Sequence, residues 1–288
     1  STRVRSSAAS DVYKRQYLYR HQIGNNVYTL ELGLMDISEE EVVNELVPIV
    51  ESYLNETLEI VSLKDSMHHL GYTSLVLKHQ QNYSLQYGFQ QYALEPLNCG
   101  DSFSAFHQDN LHYLALSDGM GQGKMAANES KLTLEVLSKL ILNGIGLKDT
   151  IDSINALLKI KNRNDMFTTL DLCNINLANA RMKLIKYGAN PSYHIRSGMV
   201  EKIATNSLPV GVVSKLKMVS YEMPLKNNDL IIMSSDGTGN DFEQIVNDNV
   251  HLYCDQHPQE IATFLMDQVL EKNNLDDISI IVIKVVNN

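Results

Sequence analysis

The 288-residue sequence has no tryptophan, only three cysteines and no apolar run of membrane-spanning length. A membrane helix needs roughly 18 or more consecutive apolar residues, so nothing in this stretch of chain is expected to cross a bilayer. Cys99, Cys173 and Cys254 lie far apart and form no C-x-x-C pair. An odd, scattered set suits a reducing compartment, and a cytoplasmic location is expected for this chain. Cations are scarce too. The 24 Lys+Arg face 34 Asp+Glu, giving a formal charge of −10. That deficit argues against nucleic acid or an anionic membrane surface as the main partner, because little is left to neutralise phosphates. No G-x-G-x-x-G follows an apolar strand, which excludes the usual dinucleotide cradle. There is no internal repeat and no low-complexity tract.

What is present is ordinary for a globular chain: 44% hydrophobic and 20% charged residues. The length allows one large domain or two small ones. Residues 1–16 are small, polar and basic, without helical or strand period. They resemble translated adapter read-through and are set aside as non-native, which implies a longer natural protein. Asp36–Leu58 is a predicted helix, capped by Ser38 with Glu41. Val42, Val43, Leu46, Val50, Tyr53 and Leu54 form its apolar face, and Pro48 should kink it. Dimerisation through this face and packing within the chain fit its pattern equally. Strands are predicted at Glu59–Ser62, Thr73–Lys78 and Asn82–Gln90, with a module boundary near residue 80. The part before it is small for a self-standing domain.

Beyond residue 84 the order is clearer. A strand at His112–Leu116 leads to helices Lys124–Leu142 and Leu147–Ile160. The first carries Ala127, Ser130, Leu134, Leu137 and Ile141 on one face; the second carries Leu147, Ile151, Ile154, Leu157 and Leu158. Six strands follow at Thr168–Asn176, Met182–Tyr187, Ser192–Arg196, Val200–Ala204, Met218–Met223 and Asp229–Ser234. Helix Pro258–Lys272 and a nearly continuous apolar strand, Ile278–Val286, complete the chain; that strand should be central and covered on both faces. Consecutive strands without intervening helices predict an α+β fold, two antiparallel sheets flanked by helices.

The acidic residues carry the chemistry. Asp118 and Asp236 each end an apolar strand, in Leu-Ser-Asp-Gly and Ser-Ser-Asp-Gly. Asp276-Asp277 immediately precedes the last strand, and Asp101 follows Gly100 before another apolar stretch. About one Asp-Gly is expected by chance in a chain of this composition, so each pair alone reads as a turn. Jointly they place hard oxygen ligands at several strand ends, without His or Cys, a set suited to Mg²⁺ or Mn²⁺. Glycine after the carboxylate lets the backbone come close enough for its own carbonyl to bind. His68-His69, His79, His107 and His112 read as surface or core histidines rather than ligands, and Met120, Met125, Met166 and Met233 as core fillers. The Gly119–Gly123 run reads as metal-loop geometry and helix entry more than as a phosphate nest.

Several motifs occur in a telling order: Cys99-Gly100-Asp101-Ser102-Phe103, Ser117 to Gly123 with Ala126, Glu129 and Ser130, Phe167 to Leu172, Gly188-Ala189-Asn190-Pro191-Ser192, Ser207 to Gly211, Asp229-Leu230 through Ser235-Asp236-Gly237, and Asp276-Asp277-Ile278-Ser279. On these, residues 98–286 resemble the PP2C class of metal-dependent serine/threonine phosphatases and, within it, the stage II sporulation protein E family. The resemblance implies a β-sandwich with two divalent cations at one end. Asp118 would bridge them, the Gly119 carbonyl would bind one, and Asp236 with Asp276 or Asp277 would complete a site. Asp276 is preferred, and Asp101 would lie near the second ion. Catalysis would pass through a metal-activated water, with Asp118, Asp236 and Asp276 as the catalytic set and no Cys or His nucleophile. No equivalent of the phosphate-holding Arg of some members is visible.

The resemblance further implies a phosphorylated anti-sigma factor antagonist as substrate and activation of a sporulation sigma factor. It implies a switch in the two helices after Asp118, and a longer parent anchored in the bacterial inner membrane that meets cell-division proteins. Residues 17–80 would be the end of a regulatory region and 81–288 the phosphatase domain. A pseudophosphatase and a stress-response phosphatase of the same superfamily are the alternatives. Ser279 and the run Gly237-Thr238-Gly239-Asn240 depart from the pattern, which bears on the surroundings of the second ion.

Overall fold

In the computed structural model the last strand organises the larger part of the molecule. The structure describes residues 14–22, 28–35, 38–54, 57–66, 72–95, 98–108, 110–121, 123–161, 167–253, 255–272 and 276–288. They fall into two compact units, residues 1–81 and 82–288.

The first unit holds β1 (Lys14–Gln22), β2 (Tyr28–Met35), a helical segment, β3 (Leu58–Ser66) and β4 (Tyr72–His79), in one antiparallel sheet of order β1-β2-β4-β3. Neither β1 nor β2 is anticipated by the sequence pattern. Lys14 and Arg15, within the segment set aside above, pair with β2, and Gln16 falls at an irregularity of β1; residues 1–13 lie outside the described set. The helical segment consists of α1 (Glu39–Glu41), a π turn at Val42–Leu46 and α2 (Val47–Leu54). Ser38 and Glu41 form the expected capping box, with Glu41 N–H donating to Ser38 Oγ and Ser38 N–H to Glu41 Oε2. Pro48 lacks an N–H and its ring crowds the preceding turn. The chain takes up the misfit by widening that turn, so that Val47 N–H reaches back to Val42 O. Val42, Val47, Leu58, Leu75, Leu77 and Leu32 make a small core, with Leu46 and Val50 against it. Val43 and Tyr53 face solvent, and Leu58 belongs to β3 rather than to the helix. This core gives the unit an interior of its own despite its size.

The second unit is a two-sheet sandwich. One sheet has the order β11-β10-β13-β14-β5 and the other β12-β9-β8-β7-β6, with every described pairing antiparallel. The strands are β5 (Tyr83–Tyr92), β6 (Asp101–Gln108), β7 (Leu111–Asp118), β8 (Leu170–Asn176), β9 (Arg181–Tyr187), β10 (Ser192–Arg196), β11 (Met199–Ile203), β12 (Ser220–Pro224), β13 (Leu230–Ser234) and β14 (Ile278–Asn287). Helices α3 (Lys124–Leu142) and α4 (Leu147–Lys161) cover one outer face; α5 (Phe242–Asn249) and α6 (Pro258–Leu270) cover the other. Alternation along each strand builds the layers. Ile231, Met233, Ile281 and Ile283 point between the sheets to meet Leu114, Leu116, Cys173 and Leu184. Their neighbours Ile232, Ile280 and Val282 point outward onto Phe242, Ile261 and Leu265. β14, between β13 and β5, is buried on both faces, as its unbroken apolar run requires.

Three expectations need correction. Ala126, not Ala127, is the fully buried alanine of α3, one residue round the helix. Leu157 on α4 is 38% exposed, because its neighbour Leu158 takes the inward place. Met120 and Met125 are exposed at 47% and 59%, beside the glycine loop rather than in a core; only Met233 fills one, and Met166 lies outside the described residues.

Candidate active site: a carboxylate cluster at the strand ends

Strands β6 and β7 of one sheet and β13 and β14 of the other meet at the same edge of the sandwich. In the second sheet β6 and β7 run antiparallel, with Asp101 directly opposite Asp118. In the first, β13 ends at Ser234 and passes into a single 3-10 turn, Asp236–Thr238, while Asp276 and Asp277 lead into β14. The charges of this group bear on Asp118 and Asp101. Burial first, then the negative charges of Asp101, Asp236 and Asp276, hold the Asp118 carboxyl well above the ordinary range. Asp101 is only 4% exposed and is pushed up to about 7, chiefly by burial. The Ser235 and Ser279 hydroxyls pull it the other way, against the charges of Asp236 and Asp277.

Why the backbone holds this shape is visible in two glycines. Neither Gly119 nor Gly237 has a positive φ. A Cβ on Gly119 would lie 2.1 Å from the Ala126 carbonyl oxygen, and one on Gly237 would lie 2.0 Å from that of Asp277. In both Asp-Gly pairs the glycine is required because another backbone passes directly over it. The Asp118–Gly119 turn is further tied down by a hydroxyl cluster. Asp118 N–H donates to Thr169 Oγ1 (2.9 Å), Thr168 Oγ1 donates to the Asp118 carbonyl (2.6 Å), and Ser117 Oγ donates to the Thr169 carbonyl (2.7 Å). Met120 N–H reaches Phe167 O and Gly119 N–H reaches Gly100 O, each at 3.1 Å. In sequence the Thr168-Thr169 pair is a family mark without a role; the structure gives it one, holding the Asp118 backbone by its N–H and carbonyl.

The two candidates before β14 differ in what occupies them. Both Asp277 oxygens are used by backbone: Oδ1 accepts from Leu94 N–H (2.8 Å) and Oδ2 from Gly100 N–H (2.5 Å). Asp277 therefore clamps the connection from β5 to β6. Asp276 is exposed, and among the described residues its Oδ1 accepts the Asp277 N–H (2.9 Å). Of the pair, Asp276 has the freer carboxylate.

The donor set fits hard divalent cations. It is all oxygen and mutually repelling, and Asp101 Oδ2 is buried without a hydrogen-bond partner. Among the described residues no three ligating side chains close into a ready-made cage. Ions that keep several waters do not need one. Asp118, Asp236, Thr169, Asp171, Asn190 and Ser235 line a crevice of about 20 Å³ at this edge. A groove of about 380 Å³ runs from Asp101 and Ser102 past Phe89 and Phe103 to Lys131 on α3. The Ser102 and Ser130 hydroxyls bond at 2.8 Å beneath that helix.

The other sequence candidates are not part of this cluster. His107 and His112 stack with their centroids 5.2 Å apart, opposite each other in β6 and β7 and at the far end of the strands. His68-His69 and the side chain of His79 lie outside the described residues. Burial pushes the Cys99 thiol up to about 12, which leaves it unreactive beside the acids. A buried His194–Asp229 contact (3.1 Å) resembles a catalytic dyad, but Arg196 forks onto the same carboxylate and the other ring nitrogen of His194 faces Glu201 at 3.5 Å.

The comparisons with known proteins bear on the fold and the family. The sandwich is that of the PP2C class: the structure of the PP2C phosphatase domain and a fragment of the regulatory domain of the Bacillus subtilis cell-fate determinant SpoIIE matches with a TM-score of 0.80 at 27% identity, covering 96% of this chain and 83% of that one. A serine/threonine phosphatase PstP catalytic domain solved with two manganese ions shares the fold at TM-score 0.57 and 20% identity, covering 71% of this chain and all of that one. The family model for stage II sporulation protein E matches residues 108–286, and the chain belongs to that family. Stage II sporulation protein E of Bacillus subtilis strain 168 is 30% identical over 91% of this chain and 34% of its own length; that of Priestia megaterium is 30% identical over 91% and 48%. The chain thus spans between a third and a half of the curated relatives it matches. Among the described residues, no helix is long and apolar enough to cross a membrane.

Proposed function

We propose that this chain is a Mn²⁺- or Mg²⁺-dependent protein serine phosphatase. Its substrate is the phosphoserine of an anti-sigma factor antagonist, and its product activates a sporulation sigma factor. Residues 81–288 are the catalytic domain, and residues 17–80 are the end of a regulatory region. The parent protein is anchored in the inner membrane, where it meets division proteins. The observation that carries the reading is the meeting of Asp118, Asp101, Asp236 and Asp276 at one edge of a PP2C-type sandwich, in a chain of the sporulation family.

Asp118, with the Gly119 carbonyl, Asp236 and Asp276 would hold the cations, and Asp101 would serve the second one. When bound, two such ions supply Lewis acidity toward a phosphoryl oxygen and a water acidified to near neutrality. The chain's own part is to keep the carboxylates convergent. Thr168 and Thr169 fix the Asp118 backbone, Gly119 and Gly237 admit the strands that cross them, and Asp277 pins the Gly100 turn so that Asp101 faces inward. Among the described residues no side chain is placed as a covalent nucleophile, so water would be the attacking group and no phosphoenzyme would form.

The test is phosphate release from a phosphoserine antagonist protein, with and without Mn²⁺, for this chain and for Asp236→Asn. Release that needs Mn²⁺ and is lost in the variant is expected. Equal release by the variant, or none by the unmutated chain at millimolar Mn²⁺, overturns the reading.

A further inference from the structure

Asp171 and Lys186 are opposite partners in β8 and β9, each 1% exposed, and form an ion pair inside the sandwich. So deep a pair is poor value as a stabiliser, since the desolvation of both charges offsets their attraction. The chemistry proposed above does not use it either. Its hydrogen bonds lead to the site. Lys186 Nζ also donates to the Asn190 carbonyl at 2.7 Å. Asn190 Nδ2 donates to the Ser235 carbonyl at 2.8 Å. That carbonyl belongs to the peptide immediately before Asp236. On its other side Ser235 is held by β14: its N–H donates to Ser279 O (3.0 Å), and its Oγ accepts the Ser279 N–H (2.9 Å). The Ser235 hydroxyl also steadies Asp101.

The Gly188–Asn190 turn that makes the crossing is itself fixed. Gly188 has φ +63°, a Cβ on it would lie 2.5 Å from Pro209 Cγ, and its N–H donates to Ser207 O (3.1 Å). A route of part-buried hydrogen bonds therefore runs from a buried charge pair in one sheet to the carboxylate-bearing turn of the other.

We infer that the Lys186–Asp171 pair, acting through Asn190 and Ser235, is a positioning device that sets the Asp236 turn for cation binding. This rests on the reading of the cluster as a divalent-cation site. Lys186 holds Asn190 by its carbonyl, which leaves the Asn190 amide aimed at Ser235. The turn is then gripped from both sheets, and Asp236 keeps its place beside Asp118 against their mutual repulsion. Outer partners of this kind contribute roughly 10- to 100-fold to metal affinity.

The experiment is a titration of the metal-free chain with Mn²⁺, read by the electron paramagnetic resonance of free Mn²⁺, alongside thermal melting without metal. Three variants are compared with the unmutated chain: Asn190→Ala, the paired Lys186→Met with Asp171→Leu, and Asp236→Asn. The paired variant removes both charges together, so no lone ion is buried. The expected result is Mn²⁺ binding weakened about 10-fold or more by Asn190→Ala and by the paired variant. Metal-free melting should stay that of the parent for Asn190→Ala, and phosphate release should recover at saturating Mn²⁺. Parent-like Mn²⁺ binding by Asn190→Ala, while Asp236→Asn loses it, overturns the positioning role and leaves the metal site standing. Parent-like binding by Asp236→Asn overturns both. If the paired variant does not fold, Asn190→Ala decides alone.

Discussion

Asp229 offers a test of the physical account away from the site. It is 2% exposed at the start of β13 and accepts from four groups: His194 Nε2 (3.1 Å), Arg196 Nε (3.0 Å) and Nη2 (2.5 Å), and the Lys226 N–H (2.8 Å). Burial opposes its ionisation, but the bonds from His194, Arg196 and the Lys226 backbone outweigh burial and bring the carboxyl down to about 2 from 3.8. A folded-state value below the unfolded one means that the unfolded chain binds the proton more tightly. The stabilisation is therefore whole above about pH 4 and is lost as the pH falls through about 2. Nearly two units correspond to ~2 kcal/mol. For a unit of this size that is about 4–8 °C in melting temperature. Asp229→Asn should melt lower than the parent by that amount from pH 7 down to pH 4, with the gap closing below pH 4. Melting curves by circular dichroism at matched ionic strength give the answer. A gap that is absent at pH 7, or that persists undiminished at pH 2, refutes the assignment.

Two further outcomes follow from the site. Gly237→Ala would force the Asp277 backbone away from a Cβ built 2.0 Å from its carbonyl oxygen; melting should fall by the equivalent of about 1–3 kcal/mol and Mn²⁺-dependent phosphate release should drop sharply, and parent-like values in both assays would show that the close approach does not matter. Asp118→Asn removes one member of a repelling cluster whose other members are Asp101, Asp236 and Asp276; in chelator-treated protein at pH 8 it should raise the melting temperature while abolishing phosphate release, and a lowered one would refute the repulsion argument.

The legible parts of the fold are those where one residue pattern admits one structure. The run Ile278–Val286 could only be a strand covered on both faces, and β14 is that strand. The helix at Lys124–Leu142 was legible to the residue, because Gly123 opens it and Asn143-Gly144 closes it. Elements that owe their form to pairing were not. β1 and β2 are half polar and gain their order from each other and from β4. β6 alternates weakly, yet lies in register beside β7. α5 is only eight residues long, too short for its period to stand out, although Phe242, Ile245 and Val246 are buried. At the site, the strand-end acids were readable because Asp-Gly twice ends an apolar run. What each carboxylate holds was not. Asp277 and Asp276 are adjacent and identical in type, and only the backbone N–H groups of Leu94 and Gly100 distinguish them. Two opposite charges near the paired ends of neighbouring strands, Asp171 in β8 and Lys186 in β9, were the overlooked signal.

The division of labour between the two Asp-Gly turns explains why the cluster lies at an edge and not within a sheet. An unpaired carboxylate inside either sheet would face a core of Leu, Ile and Met, where ionisation is prohibitively costly. At the strand ends each turn is supported by the neighbouring strand's backbone and by hydroxyls rather than by apolar packing. Thr168, Thr169 and Ser117 serve the Asp118 turn; Ser235, Ser279 and Asn190 serve the Asp236 turn. Hydroxyl and amide donors of this kind fix position without neutralising charge, so the acids stay held together and still repelling. A lysine at the same places would relieve the repulsion and remove the demand for a cation. The chain does have a lysine within one strand of the cluster, Lys186, and it is paired with Asp171 instead. Its charge is thereby spent internally, and only the direction of its hydrogen bond reaches the site.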